Sequence, residues 1–474
     1  MPGWIDYLFT IIDIISYKNQ EGFLVGGALR DIILERVSRD VDIVISERAA
    51  EIARYFADKI DASFVVLDKE REIYRVVKGN LVFDFAMMVG NDIHKDLSKR
   101  DFTINSMALP LDIPWKRISI DCNRDGFNDG FDEVINRYLI DPFKGIRDLR
   151  ARKIRVNRNN VFIKDPLRLW RAVRFSGELN FSIENQTINI MKRDSLLADR
   201  PAPERIREEL MKIFTLRKTV DILRNMEEEF RFLSCIIPEI NEMKKAGQNK
   251  YHQENAWEHS LLVLDRVEEL IHDKKYSKLV EEKEEVLLKL AALLHDIGKV
   301  KTKSIKNGEV HYYGHELKGA EMLGLILKNL KFKRSEISFI RGLVKYHMRP
   351  MNLYTAEKLT EKGKYRFFQQ ADVLVPLVLI HSLADKTAAM KVNERSAEIT
   401  EYQDFVDKLL SLYKIYKKRT ENLFISGKDI IDILKLEEGP YIGQLLDKIS
   451  LAQGRGEIKS RDEAIAFLKK YIIK

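Results

Sequence analysis

The chain has 474 residues, with 81 Lys+Arg against 73 Asp+Glu, a formal net charge of +8 and 45% hydrophobic residues. At roughly 150 residues per domain this length suggests about three compact units, and the apolar content rules out global disorder. Its two cysteines, Cys122 and Cys235, lie far apart and outside any CxxC pair, which argues against a disulfide framework or a thiolate zinc site.

Residues 1–20 are apolar but interrupted by Asp6 and Asp13, with no basic leader, and read as an amphipathic helix rather than a signal peptide. The longest apolar run, 373–380, is too short to span a bilayer. A cytoplasmic protein with no membrane partner is therefore expected, and its basic balance favours a polyanionic one. Short β-rich runs follow at 22–25, 41–45, 63–67, 73–77 and 81–86, separated by polar breaks. After about residue 140 strands are expected to stop, giving way to 3.6-period segments such as 166–179, 203–214, 259–271 and 285–295. A basic stretch from Lys144 to Arg158 joins the two regions.

Gly26 and Gly27 close the first strand and open a helical segment, so the backbone there can approach a ligand and free N–H groups can meet an anion. A plain tight turn reads the same way. Asp40 and Asp42 are two apart on the next strand and project from one face, where like charges repel unless a cation lies between them. Asp84 interrupts the apolar run 81–86, where an unpaired carboxylate is costly to bury. Three such carboxylates on adjacent strands suit Mg²⁺, which activates an attacking hydroxyl and steadies a leaving pyrophosphate.

These residues stand in motifs. GGALRD (26–31), DVDIVIS (40–46) and KRDFTINSMAL (99–109) resemble the head of polymerase-beta-type nucleotidyltransferases, in the bacterial branch that holds CCA-adding enzymes and poly(A) polymerases. The resemblance continues through 141–155, 164–175 and 203–210. It implies that Asp40 and Asp42 bind the catalytic metals and that Asp84 is the third carboxylate. Gly26, Gly27, Arg30, Arg100, Asp101 and Asn105 would then line the nucleotide pocket, with tRNA, CTP and ATP as partners.

In KDPLRLWRAVRF (164–175), Asp165 is expected to cap a helix with Pro166 at its first position, placing Arg168 and Arg171 on the same face. A carboxylate accepts from the exocyclic amine of C or A and a guanidinium donates to the neighbouring ring acceptors; U and G present the opposite polarity. The segment is similar to the family's base-reading motif, with Lys164 where Glu is usual. A larger departure lies upstream. Only fifteen residues separate Asp84 from Arg100, whereas CCA-adding enzymes carry an extended flexible loop there, and this shortness resembles the subgroup that adds only CC.

Eight of the nine histidines fall between His252 and His381. His295 and Asp296 are adjacent inside an apolar run, and burying both requires a strong partner such as a divalent metal. The spacing resembles the HD phosphohydrolases. By that likeness His259, His295, Asp296 and Asp385 hold one metal (Mg²⁺, Mn²⁺ or Ni²⁺), His315 and His347 could hold a second, and Lys299 sits near a phosphate ester. The fold expected is an α+β nucleotidyltransferase head (1–140), an all-α neck for base recognition and RNA binding (141–240), an HD-type helical domain (241–400) and a small helical tail contacting tRNA (401–474). A poly(A) polymerase, or an RNA-binding phosphohydrolase with an inactive head, are the rival readings.

Overall fold

The computed structural model describes residues 4–36, 38–113, 115, 129–246, 254–356, 360–389 and 397–470, so Cys122 and His252 lie outside the described residues. The chain divides into two compact units, Met1–Pro201 and Ala202–Lys474.

The first unit is built on a six-stranded mixed sheet. Its strands are β1 (Gly22–Val25), β2 (Asp40–Ile45), β3 (Ser63–Asp68), β4 (Ile73–Lys78), β5 (Leu81–Met87) and β6 (Ala108–Pro110), in the order β3-β4-β5-β2-β1-β6. All five β-rich runs of the sequence are therefore strands. β2 and β5 run parallel with Asp42 opposite Asp84, while β1 pairs antiparallel to β2 with Val25 opposite Asp42. The pleat sorts the side chains. Val41, Ile43, Phe83 and Phe85 are buried on one face, where Phe56 of the helix Ala49–Lys59 packs edge-on to Phe83 at 5.1 Å. Asp40, Asp42 and Asp84 stand on the opposite face. There Val44, Val25 and Ala108 form a small apolar cluster with Ile93 and Leu97 of the helix Ile93–Lys99. The N-terminal segment is the expected amphipathic helix, Ile5–Tyr17, burying Leu8, Ile11, Ile14 and Ile15.

The strands do not stop at residue 140, as the sequence suggested. Lys153–Ile154 pairs parallel with Ser182–Ile183, and Ser304–Lys306 pairs antiparallel with Glu309–His311. The second pair is a two-residue hairpin in which Asn307 (φ 53) and Gly308 (φ 78) both take positive φ, the backbone that such a turn demands. Both pairs are too short to carry an alternating pattern.

The second unit is otherwise helical among its described residues. The helices Ala256–His272, Glu282–Leu294, His315–Asn329, Arg334–Tyr346 and Val375–Ala388 pack around a core that includes Leu264, Leu290, Leu323, Leu343 and Leu379. Lys289 is fully buried there, donating to the carbonyls of Phe214 and Leu216 and paired with Glu285 and Glu268. The stretch Glu361–Ala388 is long and apolar enough to cross a membrane by length and composition, which the run 373–380 alone did not indicate. Two thirds of its apolar window (67%) is buried inside the unit, and Asp372 (φ 43) interrupts it, so it serves as core. The helices Gly427–Leu434, Pro440–Arg455 and Arg461–Lys469 close on their own cluster around Ile430, Leu445, Ile449 and Leu468.

Candidate active site and metal centre

In the first unit the strand register brings the three carboxylates together. Asp42 and Asp84 are direct neighbours across β2 and β5, and Asp40 lies two residues along on the same face. The Gly27 N–H donates to Asp42 Oδ2 at 3.2 Å. Gly26 has φ +67, and a Cβ there would stand 2.6 Å from Asp42 Oδ2 and 3.1 Å from an Arg100 nitrogen. Glycine is required on both counts. Burial raises the Asp42 pKa above the usual carboxylate value; Arg100 opposes this, while Asp84 and Asp40 add to it. A divalent cation is the partner such a trio fits. Arg75 of β4, which the sequence reading did not single out, lies opposite Asp84 and grips it with two bonds of 2.8 Å. Only the register reveals it.

Arg100, Asp101 and Asn105 separate in role. Arg100 is held by Asp96 at 3.2 Å, at the end of the helix Ile93–Lys99. Asp101 and Asn105 are buried and linked inward. Arg30 donates to Asn105 Oδ1 (2.9 Å), Asn105 donates to Asp101 Oδ1 (3.1 Å), and Arg171 grips Asp101 Oδ2 with nitrogens at 2.8 and 2.7 Å. Arg30, Arg171 and Arg174 surround the ring of Phe175 at 5.1, 5.1 and 4.1 Å from its centroid. The chain of bonds thus ties the RDFTIN segment to the helix Leu167–Leu179. That helix begins one residue later than expected, at Leu167, with Pro166 in the cap position. Asp165 still accepts from the Leu167 N–H at 3.3 Å, and Arg168 lies 3.9 Å from Asp165 while donating to the Lys99 carbonyl at 2.8 Å.

Burial opposes the charge of Asp101, but Arg171, Asn105 and the Phe102 N–H hold its pKa down at about 2, from the usual 3.8. The folded value lies below the unfolded one, so this carboxylate stabilises the fold above pH 3.8 and loses that contribution as pH falls towards 2. Arg171→Ala is expected to cost about 2 kcal/mol at pH 7. The deficit should shrink as guanidinium denaturation is repeated from pH 5 down to pH 3; a deficit independent of pH would disprove the coupling.

In the second unit, His259, His295, Asp296, His315, His347 and Asp385 converge. His259 Nε2 lies 2.9 Å from Asp385 Oδ1 and 4.0 Å from Asp296 Oδ2. Asp296 Oδ2 is 3.4 Å from His295 Nε2, and its Oδ1 is 3.3 Å from His315 Nε2. One carboxylate therefore borders both groups of histidines. Among the described residues, two trios have ligand atoms close enough to share an ion: His259, His295 and Asp385, and His295, Asp296 and His347. The Nδ1 atoms of His295, His315 and His347 each lie within hydrogen-bond distance (2.9, 2.9 and 2.6 Å) of the carbonyl three residues earlier. With protons on Nδ1, all three Nε2 lone pairs face inward, as a metal site needs. His315 Nε2 and His347 Nε2 then meet at 3.2 Å, lone pair to lone pair, which calls for a cation between them.

Burial opposes charge throughout this cluster. Lys299 and then His295 nonetheless keep the Asp296 pKa well below the usual carboxylate range, and a bond from His259 does the same for Asp385. Burial lowers the His347 pKa, and the nearby histidines lower it further. Lys299, expected beside a phosphate, is buried and donates to Asp296 Oδ2 at 2.6 Å. A further imidazole, His381, is buried to 1% against the rings of His295 and His347. Burial, then His295, pushes its pKa down to about 3. As a single histidine on an apolar helix it gave no sequence signal.

Residues 22–155 match the family described as the poly A polymerase head domain, and 256–390 match the HD domain. Residues 180–244 match a family described as "Probable RNA and SrmB- binding site of polymerase A". An A-adding tRNA nucleotidyltransferase of Deinococcus radiodurans is 30% identical over 94% of this chain and 95% of its own. A CC-adding tRNA nucleotidyltransferase of Thermus thermophilus is 28% identical over 96% of this chain and 95% of its own. Among solved structures, the CCA-adding enzyme of Thermotoga maritima complexed with tRNA shares the fold, with a TM-score of 0.59 and 22% identity over 100% of this chain and 96% of that one.

Proposed function

Because the chain belongs to the bacterial tRNA nucleotidyltransferase family, we propose that it extends tRNA 3′ ends with C from CTP, without a template, and stops before the terminal A. The observation that carries this reading is the short connection from Asp84 to Arg100. It folds into the compact helix Ile93–Lys99, pinned by the Asp96–Arg100 ion pair, and leaves no length for an extended loop. Asp40, Asp42 and Asp84 would hold Mg²⁺, which supplies charge neutralisation on the triphosphate and lowers the pKa of the attacking 3′-hydroxyl. Asp165 accepts from the exocyclic amine of the incoming base, and Arg168 donates to its ring acceptors. The Arg30–Asn105–Asp101–Arg171 network fixes the helix that presents them.

The A-adding relative favours a second reading, addition of A alone. Three transcripts, lacking CCA, CA or only A, separate the two when given labelled CTP or ATP with Mg²⁺. C addition that halts before A is the expected result. A protein that only completes CC-ended tRNA, or that builds the whole CCA, overturns the CC reading. Tailing of unstructured RNA with ATP alone would favour a poly(A) polymerase.

For the histidine centre we propose a metal-dependent phosphohydrolase acting on a 3′-phosphate or 2′,3′-cyclic phosphate of damaged tRNA, a group that must leave before addition. Its donor set fits a divalent metal: three Nε2 lone pairs, the buried Asp296 carboxylate and the half-buried Asp385 carboxylate converge there. The same reading assigns 1–140 to catalysis, 141–240 to base and RNA recognition, 241–400 to hydrolysis and 401–474 to the tRNA body, in a cytoplasmic protein.

A further inference from the structure

His381 lies on the helix Val375–Ala388, one turn before Asp385. Its imidazole is 1% exposed, and neither Nδ1 nor Nε2 has a hydrogen-bond partner among the described residues. Every other histidine facing the cluster is held. His295, His315 and His347 each bind a backbone carbonyl, and His259 meets Asp385. Burying an imidazole with both nitrogens unmatched is costly, and native interiors do so only where something else supplies the partner. The ring is not surrounded by hydrocarbon alone. Its centroid lies 4.9 Å from that of His295 and 5.7 Å from that of His347, edge-to-face at 69° in each case. Those are the two histidines of the His295–Asp296–His347 trio.

We propose that His381 is a further ligand of the metal centre, giving a third imidazole nitrogen to the ion that His295, Asp296 and His347 hold. The proposal rests on the metal-dependent reading of this domain and deepens it. Three imidazoles and one carboxylate form a nitrogen-rich set, which selects a first-row transition metal such as Ni²⁺ or Co²⁺ over Mg²⁺, whose preference is for oxygen. Without His381 the trio offers two nitrogens and one oxygen, a weaker selection.

The test uses the full chain carrying Asp40→Ala and Asp42→Ala, so that the head contributes no metal signal. Metal-stripped protein is titrated with Co²⁺, reading the d–d absorption, and metal content is measured after dialysis. His381→Phe fills the same space without a nitrogen, and His381→Ala removes both; thermal unfolding of each checks the fold. Both variants are expected to bind Co²⁺ and Ni²⁺ about 10- to 100-fold more weakly, with an altered Co²⁺ band, while Mg²⁺ affinity stays unchanged. A His381→Phe protein with the parent's Co²⁺ affinity and spectrum overturns the role of His381 and leaves the metal centre standing. A parent chain that takes up no Co²⁺, with or without His381, overturns both.

Discussion

Asp42→Asn is expected to lower incorporation of labelled CTP by about 10³-fold or more, near 4 kcal/mol of transition-state stabilisation. Asp42 is the middle of the head site. It pairs across the sheet with Asp84, receives the Gly27 N–H and faces Arg100. Asparagine keeps an oxygen for the Gly27 N–H and nearly the same volume, so the strand register should survive, but it removes the charge that a divalent cation needs. Melting temperature and tRNA binding should therefore change little while turnover collapses. Activity within tenfold of wild type would transfer the whole functional assignment to the histidine centre.

Asp296→Asn should do the reverse. Its carboxylate reaches to both sides of the second site, with Oδ2 towards His295 and Lys299 and Oδ1 towards His315. Replacing it removes a proposed ligand and leaves Lys299 facing buried imidazoles without its Asp296 partner, so metal affinity should fall about 10²-fold or more. Hydrolysis of a 2′,3′-cyclic nucleotide should vanish with it. Nucleotide addition, which depends on residues of the other unit, should persist. Retained hydrolysis at full metal content would show that the chemistry lies elsewhere, and loss of nucleotide addition would show that the two sites are not independent.

What could be read from the sequence follows a physical divide. β2 and β5 announce themselves because β-branched and aromatic residues recur over six or seven positions, and DVD and HD stand out because charge inside an apolar run is rare. Arg75 could not be read, since its meaning arises only when β4 is laid against β5 in one register. Asp101 and Asn105 read as pocket residues, yet their side chains are engaged with Arg171 and Arg30, contacts that span about seventy residues of chain. The hairpin at Asn307–Gly308 carried its turn signal in plain view, but strands of only three residues on either side gave no alternation to frame it. His381 was not singled out by the sequence either. Helical spacing assigns it to the core, correctly, and only its two unmatched nitrogens set it apart from a leucine.

The bond from Arg168 to the Lys99 carbonyl is a second tie, beside Arg171–Asp101, between the helix Leu167–Leu179 and the end of the short connection. The carboxylates are fixed by a sheet that tolerates no slippage, whereas the arginine proposed to read the base leans on the last turn of a short surface helix. Adding or deleting residues in that connection would re-aim the guanidinium without moving Asp40, Asp42 or Asp84. Under the proposed reading, nucleotide preference would drift through changes of length in this connection while the chemistry stays put. Relatives that share this scaffold could in this way come to divide the writing of a single RNA terminus between them.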